Sequence, residues 1–240
     1  MPARCWGSDG VVSERPTTED QRVVRVAARA LGRAGLAHAY GHCSKRLDGS
    51  HFLVCAARPM GLITVGEEGT VCRVDGDLPD GVLGEVRIHQ SVYRRRPEIG
   101  GICRTQPPSV MALSTAGLTP VPRHGFGAYL GSPPPLHDDV RLVRDDETAE
   151  RVAETMAAHH AIVLRGNGAV VAAESLERAV VLTWYLEDAA RVELAVRSSG
   201  IAGGGLSREQ AAGRATWSGR IGERMWEYMT AGDPEPPASS

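Results

Sequence analysis

Apolar positions along the chain fall into two rhythms. One is helical. After the polar run Thr18-Glu19-Asp20-Gln21, which reads as a capping box, Val23, Val24, Ala27, Ala30 and Leu31 share a helix face, and Gly35 is its stop. Residues 85–94 repeat the pattern, with Val86, His89, Val92 and Tyr93 on one side and Pro97 beyond the end. Residues 146–159 carry Val152 and Met156, and residues 175–197 carry a wide apolar face from Leu176 to Leu194. A short helix is expected over 109–116 with Ser109 as its N-cap, and a last helix from Ser207, capped through Gln210, to about Met229. The other rhythm is that of strands: residues 39–46, 51–56, 70–74, 99–105, 161–164 and 169–172, the last two around the tight turn Arg165-Gly166-Asn167-Gly168. Residues 117–139, with Pro133-Pro134-Pro135, read as irregular surface chain. The order of elements predicts an α/β fold: a central, mostly antiparallel sheet flanked by helices on both sides. One domain is expected over 17–231, with a flexible arm over 1–16 and a disordered tail over 232–240.

Composition narrows the function classes. The 240 residues are 42% hydrophobic and 23% charged with a net charge of -2, so a sizeable core is affordable and no basic surface for nucleic acid stands out. The run Arg94-Arg95-Arg96 falls at a helix end, where positive charge complements the macrodipole. No apolar run is long enough to span a membrane and no signal-peptide pattern opens the chain, so a cytoplasmic location is expected. Cys5, Cys43, Cys55, Cys72 and Cys103 are odd in number and widely spaced, the pattern of reduced thiols. Neither H-E-x-x-H, C-x-x-C pairs, a P-loop nor a nucleophile elbow is present.

Four stretches carry more information together. Gly41-His42-Cys43-Ser44-Lys45-Arg46 is similar to the G-H/N-x-S-x-R strand of the class II aldolase/adducin family. Glu85, His89 and Tyr93, followed by Arg96-Pro97, resemble its E-x-x-x-H-x-x-x-Y...R-P helix. Cys103-Arg104-Thr105-Gln106-Pro107 falls where that family has V-H-T-H-P, and Gly166-Asn167-Gly168 where it has N-H-G. The likeness runs from about Glu19 to about Arg197.

The resemblance implies a single-domain class II aldolase-like fold, a substrate-activating glutamate at Glu85 and three metal-holding histidines. Arg104, Gln106 and Asn167 stand in the histidine places. Arginine has no free lone pair, and the two amides offer only weak carbonyl oxygens, so no metal and no cofactor are expected. The family's phosphate-binding serine pair is replaced by Leu83 and Gly84, which points away from sugar phosphates.

The expectation is therefore a metal-independent lyase- or cyclase-type enzyme acting on a non-phosphorylated carbonyl or carboxylate substrate, by aldol-type chemistry, decarboxylation or dehydration. Arg104 would hold the negative oxygen that a metal otherwise steadies, and Glu85 would act as base. His42, Ser44, His89, Gln106 and Asn167 would bind substrate. Core packing is an equal reading for His89, and packing also accounts for Tyr93. His124 and His137 are expected at the surface. Two alternatives stay open: a non-haem iron oxygenase using His42, His89 and Glu85, and a non-catalytic adducin-like binding protein in which Glu85 and Arg104 are a relict ion pair. The expected partners are a small-molecule substrate and copies of the same chain, as a homotetramer, with neither nucleic acid nor membrane.

Overall fold

A computed structural model describes residues 15–201 and 203–235. Seven strands form one sheet: β1 (His42–Arg46), β2 (His51–Val54), β3 (Thr70–Arg73), β4 (Gly101–Thr105), β5 (Leu136–His137), β6 (Ala161–Leu164) and β7 (Gly168–Ala173). Their spatial order is β3-β2-β1-β4-β7-β6-β5, antiparallel throughout except for the β5–β6 edge. Short links between β1 and β2 and between β6 and β7 fit antiparallel neighbours.

Side-chain alternation along the strands feeds two cores. On one face Cys43, Cys103, Val171 and Ala173 pack with α1 (Thr18–Arg33) and α5 (Leu176–Ser199). On the other, Phe52, Ile102, Val170 and Ala172 pack with α2 (Arg87–Arg95) and α4 (Asp146–Met156). Helix α3 (Pro108–Thr115) lies against α5. Cys43, Cys55, Cys72 and Cys103 are buried free thiols. No helix among the described residues is long and apolar enough to cross a membrane.

Several local expectations change. The first capping box is one residue earlier than read: Thr17 caps α1, donating its N–H to Asp20 and accepting from the Asp20 N–H. Ser109 does not cap α3, because the helix already begins at Pro108 with Pro107 in the cap position; the Ser109 N–H donates to the Glu187 carboxylate of α5. The last helix is two, α6 (Arg208–Arg214) and α7 (Ile221–Thr230), parted where Gly219 and Arg220 take left-handed backbone. Within the stretch read as irregular, Leu136–His137 adds an edge strand, and His137 is buried in it instead of exposed. His124 is partly covered, held 2.7 Å from Asp188.

The expected tail also differs. Arg25, Arg29 and Arg33, four residues apart on one face of α1, grip its first residues. Arg29 lies 2.6 Å from Asp233, Arg33 2.7 Å from Asp233, and Arg25 2.6 Å from Glu235. Burial opposes ionisation of Asp233, but hydrogen bonds from Arg29 and Arg33 outweigh it and hold the carboxyl at about 2. Residues 232–235 are thus a clip; residues 1–14 of the expected arm and 236–240 of the expected tail lie outside the described residues.

Candidate active site

Strand register decides which side chains meet. His42 of β1 lies opposite Arg104 of β4, and Ser44 lies opposite Ile102. Cross-strand partners share a face, so His42, Ser44 and Arg104 all point to the α2 side. Helix α2 lays His89 and Tyr93, one turn apart, onto the same face. One further turn back, Glu85 sits in a 3-10 turn (Gly84–Val86) that leads into α2. The β6–β7 turn brings in Asn167. Gly168 makes that turn possible: its φ is +99°, and a Cβ there would lie 2.1 Å from the Thr105 carbonyl oxygen.

Part of this set surrounds a cavity of about 720 Å³ whose wall includes His42, Glu85, Arg104, Gln106 and Asn167. Arg104 is 1% exposed, and its guanidinium contacts the Glu85 carboxylate at 2.9 Å. Burial lowers the Arg104 pKa and Glu85 pulls it back up. Glu85 also accepts from the Val143 N–H at 3.3 Å and the Asn167 amide at 3.5 Å. The carboxylate is therefore oriented from three sides while remaining open to the cavity.

Ser44 and His89 are placed differently from the sequence expectation. Both are fully buried and neither lines the cavity; they stand behind His42. His42 Nδ1 is 2.9 Å from His89 Nε2, His89 Nδ1 is 2.6 Å from the Ser44 hydroxyl, and that hydroxyl is 2.9 Å from the Tyr93 hydroxyl. Tyr93 in turn donates to the Ser44 carbonyl at 3.2 Å. His42 Nε2 is buried with no hydrogen-bond partner. Burial, then the charges of His89 and Arg104, hold the His42 pKa well below the usual imidazole value; burial and Arg104 take His89 down to about 3.

Three residues at the cavity mouth escaped sequence reasoning: Tyr40, Arg58 and Arg144. Arg58 is paired with Glu67, whereas Arg144 has no ion-pair partner among the described residues. Arg144 sits in a loop with neither periodicity nor motif to mark it. With Arg104, these arginines give the cavity an excess of positive charge over Glu85, the one carboxylate that lines it among the described residues, a setting for an anionic substrate.

A divalent metal does not fit these residues. A fixed cation, Arg104, occupies the place of a ligand and already engages the carboxylate. The relocated iron site fares no better, because both ring nitrogens of His89 are committed inside the protein and only His42 offers a free one. Among the described residues no group of three or more His, Cys, Asp or Glu is arranged to hold a metal.

Comparison with known proteins identifies the family. The family model described as Class II Aldolase and Adducin N-terminal domain matches residues 21–194. A 3,4-dihydroxyphthalate decarboxylase of Arthrobacter keyseri is 28% identical over 197 residues, 75% of this chain and 79% of that protein. One from Terrabacter sp. (strain DBF63) is 28% identical over 224 residues, 85% of this chain and 90% of that protein. The solved L-fuculose 1-phosphate aldolase from Glaciozyma antarctica PI12 superposes with a TM-score of 0.74 at 19% identity, covering 90% of this chain and 92% of that one.

Proposed function

The chain belongs to the class II aldolase and adducin family and is a lyase-type enzyme acting on a non-phosphorylated substrate; within that class we propose a metal-independent decarboxylase of hydroxylated aromatic carboxylates. The observation that carries this reading is the buried Arg104 guanidinium set 2.9 Å from Glu85 in a cavity rich in arginine.

Loss of CO2 from an aromatic ring requires a proton on the carbon that bears the carboxylate and a place for the electrons. In the proposed path Glu85 removes the proton of a ring hydroxyl. The oxyanion that forms is held by Arg104, whose charge is worth far more in a dry site than in water. The oxygen's electron pair moves into the ring, and the carboxyl-bearing carbon takes the proton back from Glu85. The C–CO2 bond then breaks, its electron pair restores the aromatic ring, and the phenolate collects a proton from water. One carboxylate serves both transfers, so the path needs no second acid. Arg144 and Arg58 attract the substrate's carboxylates at the mouth.

The test is CO2 release from 3,4-dihydroxyphthalate by the purified protein after exhaustive treatment with a chelator. Undiminished release is expected. Release that returns only when a divalent metal is added, or none from this or any related hydroxybenzoate, would overturn the proposal.

Assembly as a cytoplasmic homotetramer belongs to the same proposal. Support comes from the exposed Tyr40 and Leu142 beside the cavity mouth, apolar surface that a neighbouring copy would cover. Light scattering tests it: a monomer in solution would end the idea.

A further inference from the structure

The line of buried groups behind the cavity has no part in the path above. Tyr93, Ser44, His89 and His42 form an unbroken series of contacts of 2.6 to 2.9 Å, contributed in alternation by α2 and β1. At its inner end the Tyr93 hydroxyl is satisfied by the Ser44 carbonyl. At its outer end stands His42, 2% exposed and in the cavity wall, with Nε2 unpartnered on the ring edge turned away from His89. A buried polar atom without a partner is costly, and it stays so until a ligand supplies one.

Two neutral proton arrangements satisfy every other atom of the line. In one, the Ser44 hydroxyl donates to His89 Nδ1 and His89 Nε2–H donates to His42 Nδ1, so His42 presents Nε2–H. In the other, His42 Nδ1–H donates to His89 Nε2, His89 Nδ1–H donates to the Ser44 oxygen, and the Ser44 hydroxyl donates to Tyr93. His42 then presents a lone pair. Both hold the same number of protons, so the line sets the imidazole tautomer without any group becoming charged.

The rest of the cavity decides between them. Arg104, Arg144 and Arg58 are donors only, and the one carboxylate, Glu85, is engaged by Arg104, Val143 and Asn167. A hydroxyl that keeps its proton needs an acceptor; Gln106 and Asn167 offer amide oxygens in the same wall, but His42 Nε2 is the buried ring atom of that wall left without a partner. His42 and Arg104 are direct cross-strand partners, so the two side chains address neighbouring atoms of one ligand.

We propose that His42 Nε2 is the specificity contact for a substrate hydroxyl that stays protonated, beside the oxygen held by Arg104, and that His89, Ser44 and Tyr93 are positioning residues that fix its tautomer. This deepens the decarboxylase reading and rests on it for the ligand. A site built around such an acceptor rejects a ligand that leaves it unpaired.

Calorimetric binding of 3,4-dihydroxyphthalate and of phthalate, which keeps both carboxylates and lacks both hydroxyls, tests the idea on the full chain. The wild type should prefer the hydroxylated compound by roughly tenfold or more. His42→Leu should keep only the part of that preference owed to the oxygen held by Arg104, and His42→Gln, which retains an acceptor, should restore some of the rest. A preference that survives undiminished in His42→Leu overturns the proposal.

Nitrogen-15 NMR of the histidine rings is an independent test that needs no ligand and no folded variant. The groups facing His42 are His89 of α2, Arg104 of β4, Glu85 before α2, and the mouth arginines Arg58 and Arg144. In that setting both imidazoles should remain neutral from about pH 8 down to about pH 5. Titration of either near the ordinary value of about 6.5 overturns the neutral line. Should neither compound bind while the rings stay neutral, the decarboxylase reading is what fails, and the neutral line stands.

Discussion

Replacing Arg104 by methionine removes the charge while keeping much of the side-chain volume. Two consequences separate cleanly. Breaking a fully buried ion pair from one side costs about 3–5 kcal/mol. Here Glu85 retains 19% side-chain exposure and two other hydrogen-bond donors, so part of its solvation is recovered. The expected loss of stability is roughly 2–3 kcal/mol, below the range for a wholly buried pair. Chemistry should suffer more: one lost oxyanion donor in a dry site is worth about 3 kcal/mol, or roughly 100- to 1000-fold in kcat.

The second substitution Glu85→Gln, added to Arg104→Met, removes the stranded carboxylate. The double variant should therefore regain most of the stability lost by the single one, with no return of activity. Urea unfolding read by circular dichroism gives the first quantity and CO2 release the second. If Arg104→Met keeps kcat within about threefold of wild type, the guanidinium does not stabilise the reaction. If the double variant is as unstable as the two single losses added together, Arg104 and Glu85 are not energetically coupled.

Other outcomes follow from separate parts of the molecule. Arg144→Ala should raise KM about three- to tenfold with little change in kcat, and the effect should shrink with added salt, as initial rates at two ionic strengths would reveal. Gly168→Ala should cost at least about 3 kcal/mol, because the backbone is left-handed and the new methyl meets the Thr105 carbonyl; thermal melting measures it. The Asp233 carboxyl has a folded value of about 2 against 3.8 unfolded, so its contribution is complete above pH 3.8 and is lost as pH falls toward about 2. Asp233→Asn should therefore destabilise by on the order of 2 kcal/mol at neutral pH and by almost nothing near pH 2, a difference that urea midpoints at the two pH values would expose.

The sequence made the framework readable where the pattern is local. Val86, His89, Val92 and Tyr93 announce the buried face of α2, and the alternation around His42 and Arg104 announces strands. Glu85, Arg104, Gln106, Asn167 and His42 come together around the cavity because motif positions of β1, β4, β7 and α2 converge at one end of the sheet. Ser44 and His89 carry motif positions too, yet their depth depends on how α2 seats against β1, which no spacing encodes. Arg144 depends on the path of a loop. The break at Gly219 and Arg220 was hidden because apolar periodicity continues through it. Asp233 and Glu235 have partners some 200 residues upstream, and their local composition of Gly, Asp, Pro and Glu reads as solvated chain.

The clip on α1 also has a consequence for how the protein comes into being on the ribosome. Arg25 and Arg29 are synthesised some 200 residues ahead of the carboxylates they grip, and each ends up nearly enclosed against them. Until residues 233–235 exist, docking α1 would strand two cations in a dry environment. Helix α1 must therefore wait, loosely held, while some 200 further residues are synthesised before it can take its final seat.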